Sequence, residues 1–191
     1  MRLNRGYALL FLFILNIVFL MPARAIAANE TAVLIVADDT TKDAVTRKNH
    51  IFRTALVEFA RPMLKKKLTP KAAEEILPKG SYKPQGRNTM KVWLNAANRA
   101  DPPAQFLVGL RLVVSVIERT QSQVLEVILE ANTHKLPSGE KIDTFLTDKP
   151  RRFALPNPCA RKCVVQLATK AVKDIAYEAG VASAASIADS L

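Results

Sequence analysis

Residues 105–131 read QFLVGLRLVVSVIERTQSQVLEVILEA. Gln105 to Ile117 is rich in Val and Leu, Glu118 to Ser122 is polar, and Gln123 to Ala131 is again apolar and β-branched. Two apolar runs joined by about five polar residues predict an antiparallel hairpin. Val124 to Glu130 also contains good helix formers, and a short apolar run is ambiguous by periodicity alone. Pro137-Ser138-Gly139-Glu140 is a further turn signal, so Lys141 to Phe145 is expected as a third strand.

Working towards the amino terminus, Asp101-Pro102-Pro103 ends whatever precedes the hairpin, because Pro restricts its predecessor to extended backbone. Asn88 can cap a helix carrying Met90, Val92, Trp93 and Ala97. Thr69-Pro70 has the cap and first-turn chemistry of a weaker helical segment, stopped by Leu77-Pro78-Lys79-Gly80. Phe52, Leu56, Phe59 and Met63 recur at spacings of four, three and four, the stripe of an amphipathic helix over about 46–66. Pro62 should kink or interrupt it, and Arg47, Arg53 and Glu58 lie off the stripe, free to face water. Thr31 to Ala37, TAVLIVA, is a continuous β-branched run of the kind buried on both faces of a sheet. Asp38-Asp39-Thr40-Thr41 comes next, with turn and cap residues.

Towards the carboxyl terminus, residues 146–158 read as an exposed, Pro-rich connector. A final helix begins near Cys159, with Val164, Leu167, Ala168, Ala171, Val172 and Ile175 on one face. Gly180 is expected to break or end it, leaving Val181 to Leu191 as a separate Ala-rich segment.

The leader is of a different kind. Arg2 and Arg5 are followed by an almost unbroken hydrocarbon run from Ala8 to Met21, closed by Pro22-Ala23-Arg24-Ala25. Small residues at Ala23 and Ala25 fit a signal peptide cut after Ala25. The run is about 14 residues, short of the roughly 20 that span a bilayer. Residues 26–30 read as a flexible leader and 31–191 as one domain. Removing residues 1–25 takes away three arginines and no acid, leaving 25 basic and 17 acidic side chains, a formal +8. Such a domain is attracted to anionic surfaces. Lys65-Lys66-Lys67 and Arg151-Arg152 are the clusters singled out for binding. The plainer reading of such clusters is solvated helix face.

Cys159 and Cys163 are the only cysteines. After export an even count suggests pairing. A four-residue gap suits a bridge if Cys159 sits in the non-helical approach to the helix, where Pro156 and Pro158 place it. Free structural thiols, a redox pair and a metal site stay open, although Zn²⁺ wants four ligands and only His50 and His134 could add to the two sulfurs. No nucleophile elbow, phosphate loop or cofactor motif is found. Asp38 and Asp39 are the best carboxylate pair, for which a turn plus helix cap is the plainer role. Trp93 reads as core before ligand platform.

Three stretches carry a resemblance to the small α/β domains of bacterial envelope proteins: the TolB amino-terminal domain, the CsgG-type curli secretion protein and the outer-membrane activators of penicillin-binding proteins. Ala32 to Asp38 looks like their opening strand. Ala100-Asp101 before Val108-Gly109 is similar to their approach to a long strand, and Val127 to Glu140 to their outgoing strand and turn. Their strand after the first helix is poorly matched by Lys67-Leu68-Thr69, and the Cys159 to Cys163 segment is outside their pattern. The resemblance implies a shared scaffold and no site residues.

These readings define a single α+β domain. Its antiparallel or mixed sheet of three to five strands is built around the central hairpin and packs against two or three helices, the first and last on one face. The expected function is that of an exported, non-catalytic bacterial envelope protein, periplasmic or secreted. It would bind another envelope protein or anionic polymer, with no cofactor and no membrane span after Ala25. Two alternatives stand beside it. One is a hydrolase of wall or envelope polymer using Asp38, Asp39 or His134 as acid–base groups. The other is a basic module for nucleic acid or anionic lipid, with nucleic acid the weaker candidate.

Overall fold

The structure, a computed structural model, describes residues 31–39, 49–73, 90–98, 103–119, 122–147 and 149–191. The leader, with Ala23 and Ala25, lies outside the described residues. In chain order the elements are β1 (Thr31–Asp39), α1 (Asn49–Lys65), β2 (Leu68–Ala72), α2 (Met90–Ala97), β3 (Phe106–Arg119), β4 (Ser122–Lys135), β5 (Glu140–Leu146), β6 (Arg151–Leu155) and α3 (Arg161–Asp189).

The hairpin forms as the sequence predicts and is longer than expected. β3 and β4 pair antiparallel from Phe106↔Lys135 to Arg119↔Ser122. On one face of this ladder Leu110, Leu112 and Val114 lie beside Leu125, Val127 and Leu129, all fully buried. That alternation fixes the register, because a slip of one residue would turn the whole set to the other face. β1 joins β3 in parallel, Val33↔Phe106 to Asp39↔Leu112. Asp38 and Asp39 are therefore strand residues and not the turn expected of them.

The sheet runs β2-β1-β3-β4-β5, with β6 also paired to β4. β4 carries both: its carboxyl half pairs with β5 and its amino half, Gln123 to Val127, with β6. The sixth strand comes from residues read as connector. Arg151-Arg152-Phe153-Ala154-Leu155 is short and bounded by prolines, but β4 offers an open edge along this half. β2 corrects the reading of Thr69-Pro70 as a helix start. Leu68 to Ala72 pairs in parallel with Thr31 to Ile35 of β1. Pro70 has no N–H to give, which an edge strand tolerates, and burial of Leu68 beside α1 outweighs the weak helix preference of Thr69 to Ala72.

α1 and α3 cover one face. Ile51, Phe52, Ala55, Phe59 and Met63 of α1 and Val164, Ala168, Ala171, Val172 and Ile175 of α3 join the inward side chains of β1, β3 and β4 in one core. Glu58, expected in water, is buried beside Arg61, its Oε2 3.0 Å from Nη1. Pro62 falls in the last turn, so the helix ends at Lys65 within one turn of it. α2 packs on the opposite face, where Trp93 and Ala97 meet Leu34, Val36 and Leu107; Val92 points outward. Trp93 lies flat on Gly109, and a Cβ at that glycine would stand 2.1 Å from its ring.

α3 does not stop at Gly180. It runs unbroken for 29 residues, burying Ala179, Gly180, Ser183, Ala184 and Ile187 beyond the expected break. Gly180 faces the main chain of α1, and its missing side chain lets the two helices touch there. Cys159 and Cys163 have their sulfurs 2.10 Å apart, at disulfide distance, with Cys159 before the helix as expected.

Candidate functional site

The residues singled out for binding part company in the fold. Lys65 closes α1, where a cation suits the partial negative charge of the helix end. Its Nζ lies 5.7 Å from the centre of the Tyr177 ring on α3, and 3.5 Å from that hydroxyl. Lys66 N donates to the Met63 carbonyl at 2.9 Å and Lys67 N to Leu64 at 3.1 Å, tightening the last turn. Lys67 has φ of 60°, and Lys66 and Lys67 are exposed.

Arg151 and Arg152 are neighbours on β6 and so point to opposite faces. Arg151 turns to the helix side and grips Glu178 of α3 with two parallel hydrogen bonds, Nη1 to Oε1 at 3.1 Å and Nη2 to Oε2. The hydrogen bond from Arg151 holds the Glu178 carboxyl below its ordinary range, and the same bond raises the Arg151 guanidinium above its own. Arg152 donates from Nε to Glu126 Oε2 at 3.2 Å on the other side. Both arginines are thus paired at home, whereas Lys66 and Lys67 face solvent.

The exposed charge instead gathers on the outer surface of the two-helix layer. Arg53, Arg61, Lys65, Lys66 and Lys67 are exposed on α1 and its end, and Arg161, Lys162, Lys170 and Lys173 on α3. Against these nine stand three exposed carboxylates, Asp174, Glu178 and Asp189, all on α3. Glu178 is the one bound to Arg151. Sequence reasoning missed this layer because its cations are spread at helical spacing over two distant segments. The acid-free outer face of α1 appears only with the fold, because Glu58, expected in water, is buried beside Arg61.

The face of the sheet on which α2 packs carries a polar row. Asp38, Arg111 and Glu130 sit opposite one another on β1, β3 and β4. Arg111 Nε lies 3.5 Å from Asp38 Oδ2, and its Nη1 lies 3.2 Å from Glu130 Oε2. Asn132 Nδ2 donates to Glu130 Oε1 at 2.7 Å, and Thr144 Oγ1 donates to Asn132 Oδ1 at 2.9 Å. The guanidinium also stands 6.0 Å from the Trp93 ring, within cation–π reach. Asp38 is fully buried. A carboxylate so placed needs a cation, which is why one arginine interrupts the apolar run of β3.

This row does not assemble an acid–base pair. His134 is a buried residue of β4, and its Nδ1 donates to the Gly139 carbonyl at 3.1 Å. Asp38 is opposite Arg111 and His134 opposite Leu107. Four residues along β3, on strands either side of it, put the two side chains about 16 Å apart. The Asp39 side chain lies outside the described residues. His50 is exposed at the start of α1. Among the described residues, no group of three or more His, Cys, Asp or Glu side chains is placed to hold a metal ion. No described helix is long and apolar enough to cross a membrane.

No family model matches the chain, and no curated protein matches it in sequence. Among solved structures it is similar to a hypothetical protein of Chlamydia trachomatis, with 11% identity over 80% of this chain and 99% of that one, at a TM-score of 0.46. It is similar also to a lipoprotein of Neisseria meningitidis, with 12% identity over 76% and 98% and a TM-score of 0.43. A Xanthomonas campestris protein has 7% identity over 84% and 87% and a TM-score of 0.45. At these values no property of those proteins is carried to this chain.

Proposed function

We propose that this chain is an exported, non-catalytic protein of the bacterial envelope that binds an anionic envelope component through the outer surface of α1 and α3. One observation carries the reading: nine exposed cations against three exposed carboxylates on that layer. Such a surface creates a field that concentrates anionic partners and speeds encounter. The hydrocarbon leader ending at Ala25 supports export, and the sequence resemblance to envelope domains points the same way.

The test is binding to an immobilised soluble polyanion across a salt series. Retention that falls steeply as salt rises is expected, since exposed charges are screened beyond about 10 Å at 0.1 M. Reversing Lys66, Lys67, Lys170 and Lys173 to Glu should abolish it. Salt-independent retention, or none, overturns the proposal.

A further inference from the structure

We infer that the anionic partner is a lipid bilayer surface, and that α1 lies in its head-group layer. This rests on the reading of the basic helix layer as the binding surface and goes one step further. Two of the most exposed large aliphatic side chains in the described structure are on α1: Val57 at 56% and Leu64 at 61%. Seven residues apart, they sit on nearly the same line of the helix, about 10 Å from one another. Arg61 lies between them, Arg53 one turn before Val57, and Lys65, Lys66 and Lys67 directly after Leu64. The only carboxylate of α1, Glu58, is buried beside Arg61. The outer face of α1 is therefore cationic and aliphatic with no exposed acid, while α3 carries all three exposed carboxylates.

A soluble polyanion would match the cations and leave Val57 and Leu64 in water. An anionic bilayer matches both, with phosphates against Arg53, Arg61 and the lysines, and the acyl boundary a few ångströms deeper for the two aliphatic side chains. Val181 of α3, 46% exposed, extends the apolar part of the layer next to Gly180, where the helices touch.

The experiment is co-sedimentation of the protein with phosphatidylcholine vesicles, with and without phosphatidylglycerol, beside retention on the soluble polyanion. Val57→Ser and Leu64→Ser leave the charge unchanged and alter only exposed positions; circular dichroism and Trp93 emission check the fold. Binding is expected only where phosphatidylglycerol is present. The double substitution should weaken it about tenfold or more, while polyanion retention stays the same. Neutralising Lys66→Gln or Lys67→Gln should weaken vesicle binding by roughly fivefold each. Polyanion retention without vesicle binding overturns the inference and leaves the proposed function standing. Equal vesicle binding by wild type and double variant overturns it too, since the contact is then purely electrostatic. Loss of both kinds of binding overturns the inference and the proposed function together.

Discussion

Gly180 of α3 rests against the main-chain carbonyl of Phe59 in α1, so close that a Cβ at Gly180 would stand 2.2 Å from that oxygen. In a helix interior Gly costs about 1 kcal/mol relative to Ala. Here the glycine is held because the neighbouring backbone occupies the space a methyl would need. Gly180→Ala is therefore expected to destabilise by about 1–3 kcal/mol, despite the gain in helix propensity. Urea unfolding followed by circular dichroism checks the sign.

On the other face of the sheet, Gly109→Ala should lift Trp93 off β3, because the added carbon would overlap its ring. Trp93 is the only tryptophan. Its emission should move to longer wavelength as the ring meets water, with a loss of about 1–3 kcal/mol in stability.

Removing Arg111 takes from the buried Asp38 a cation 3.5 Å away. Arg111→Met should cost about 3 kcal/mol at neutral pH. Adding Asp38→Asn should recover much of that loss, since the two residues are coupled. Chemical unfolding of both single variants and the double one measures the coupling.

The Arg151–Glu178 pair predicts a pH dependence with a definite sign. Glu178 has its folded-state pKa lowered, so its contribution is present above the unfolded carboxylate pKa and is lost as pH falls through the depressed folded value. Arg151 is raised, so its share is present below the unfolded arginine value and survives at any pH used for folding. The pair is 39% and 49% exposed. Its coupling in an Arg151→Ala/Glu178→Ala cycle should therefore not exceed about 1 kcal/mol at pH 7, shrink with salt, and vanish in acid.

The first turn of α3 is poorly provided for by its own residues. Ala160 offers no side-chain cap, no acid lies in the first turn, and Arg161 and Lys162 oppose the helix dipole. Cys159–Cys163 pins this turn. Reduction, or Cys163→Ser, should speed amide exchange there first, at a global cost of roughly 2 kcal/mol or less for so small a loop.

The sequence made the hairpin, β1, α1 and the layer order legible, because long apolar runs and helical stripes allow few arrangements. Three features were hidden for a common reason. Thr69-Pro70 has good helix-start chemistry, but it lies beside the free edge of β1. Arg151 to Leu155 has little strand character of its own, but it meets the free half of β4. Gly180 has the local look of a stop, but it meets a carbonyl of α1. In each case a residue far along the chain decides the outcome. The Asp38–Arg111 pair was more accessible: a single arginine inside a run of Val and Leu asks for an acid on an adjoining strand, and Asp38 was the acid at the end of the first one. The basic layer was legible only in its parts.

The closing layer of the core belongs to α3, whose buried positions run from Val164 to Ile187. Until those residues are free, Phe59 and its neighbours on α1 have sheet beneath them but nothing beside them. Closure of the core therefore waits on the far end of α3, as far as Ile187.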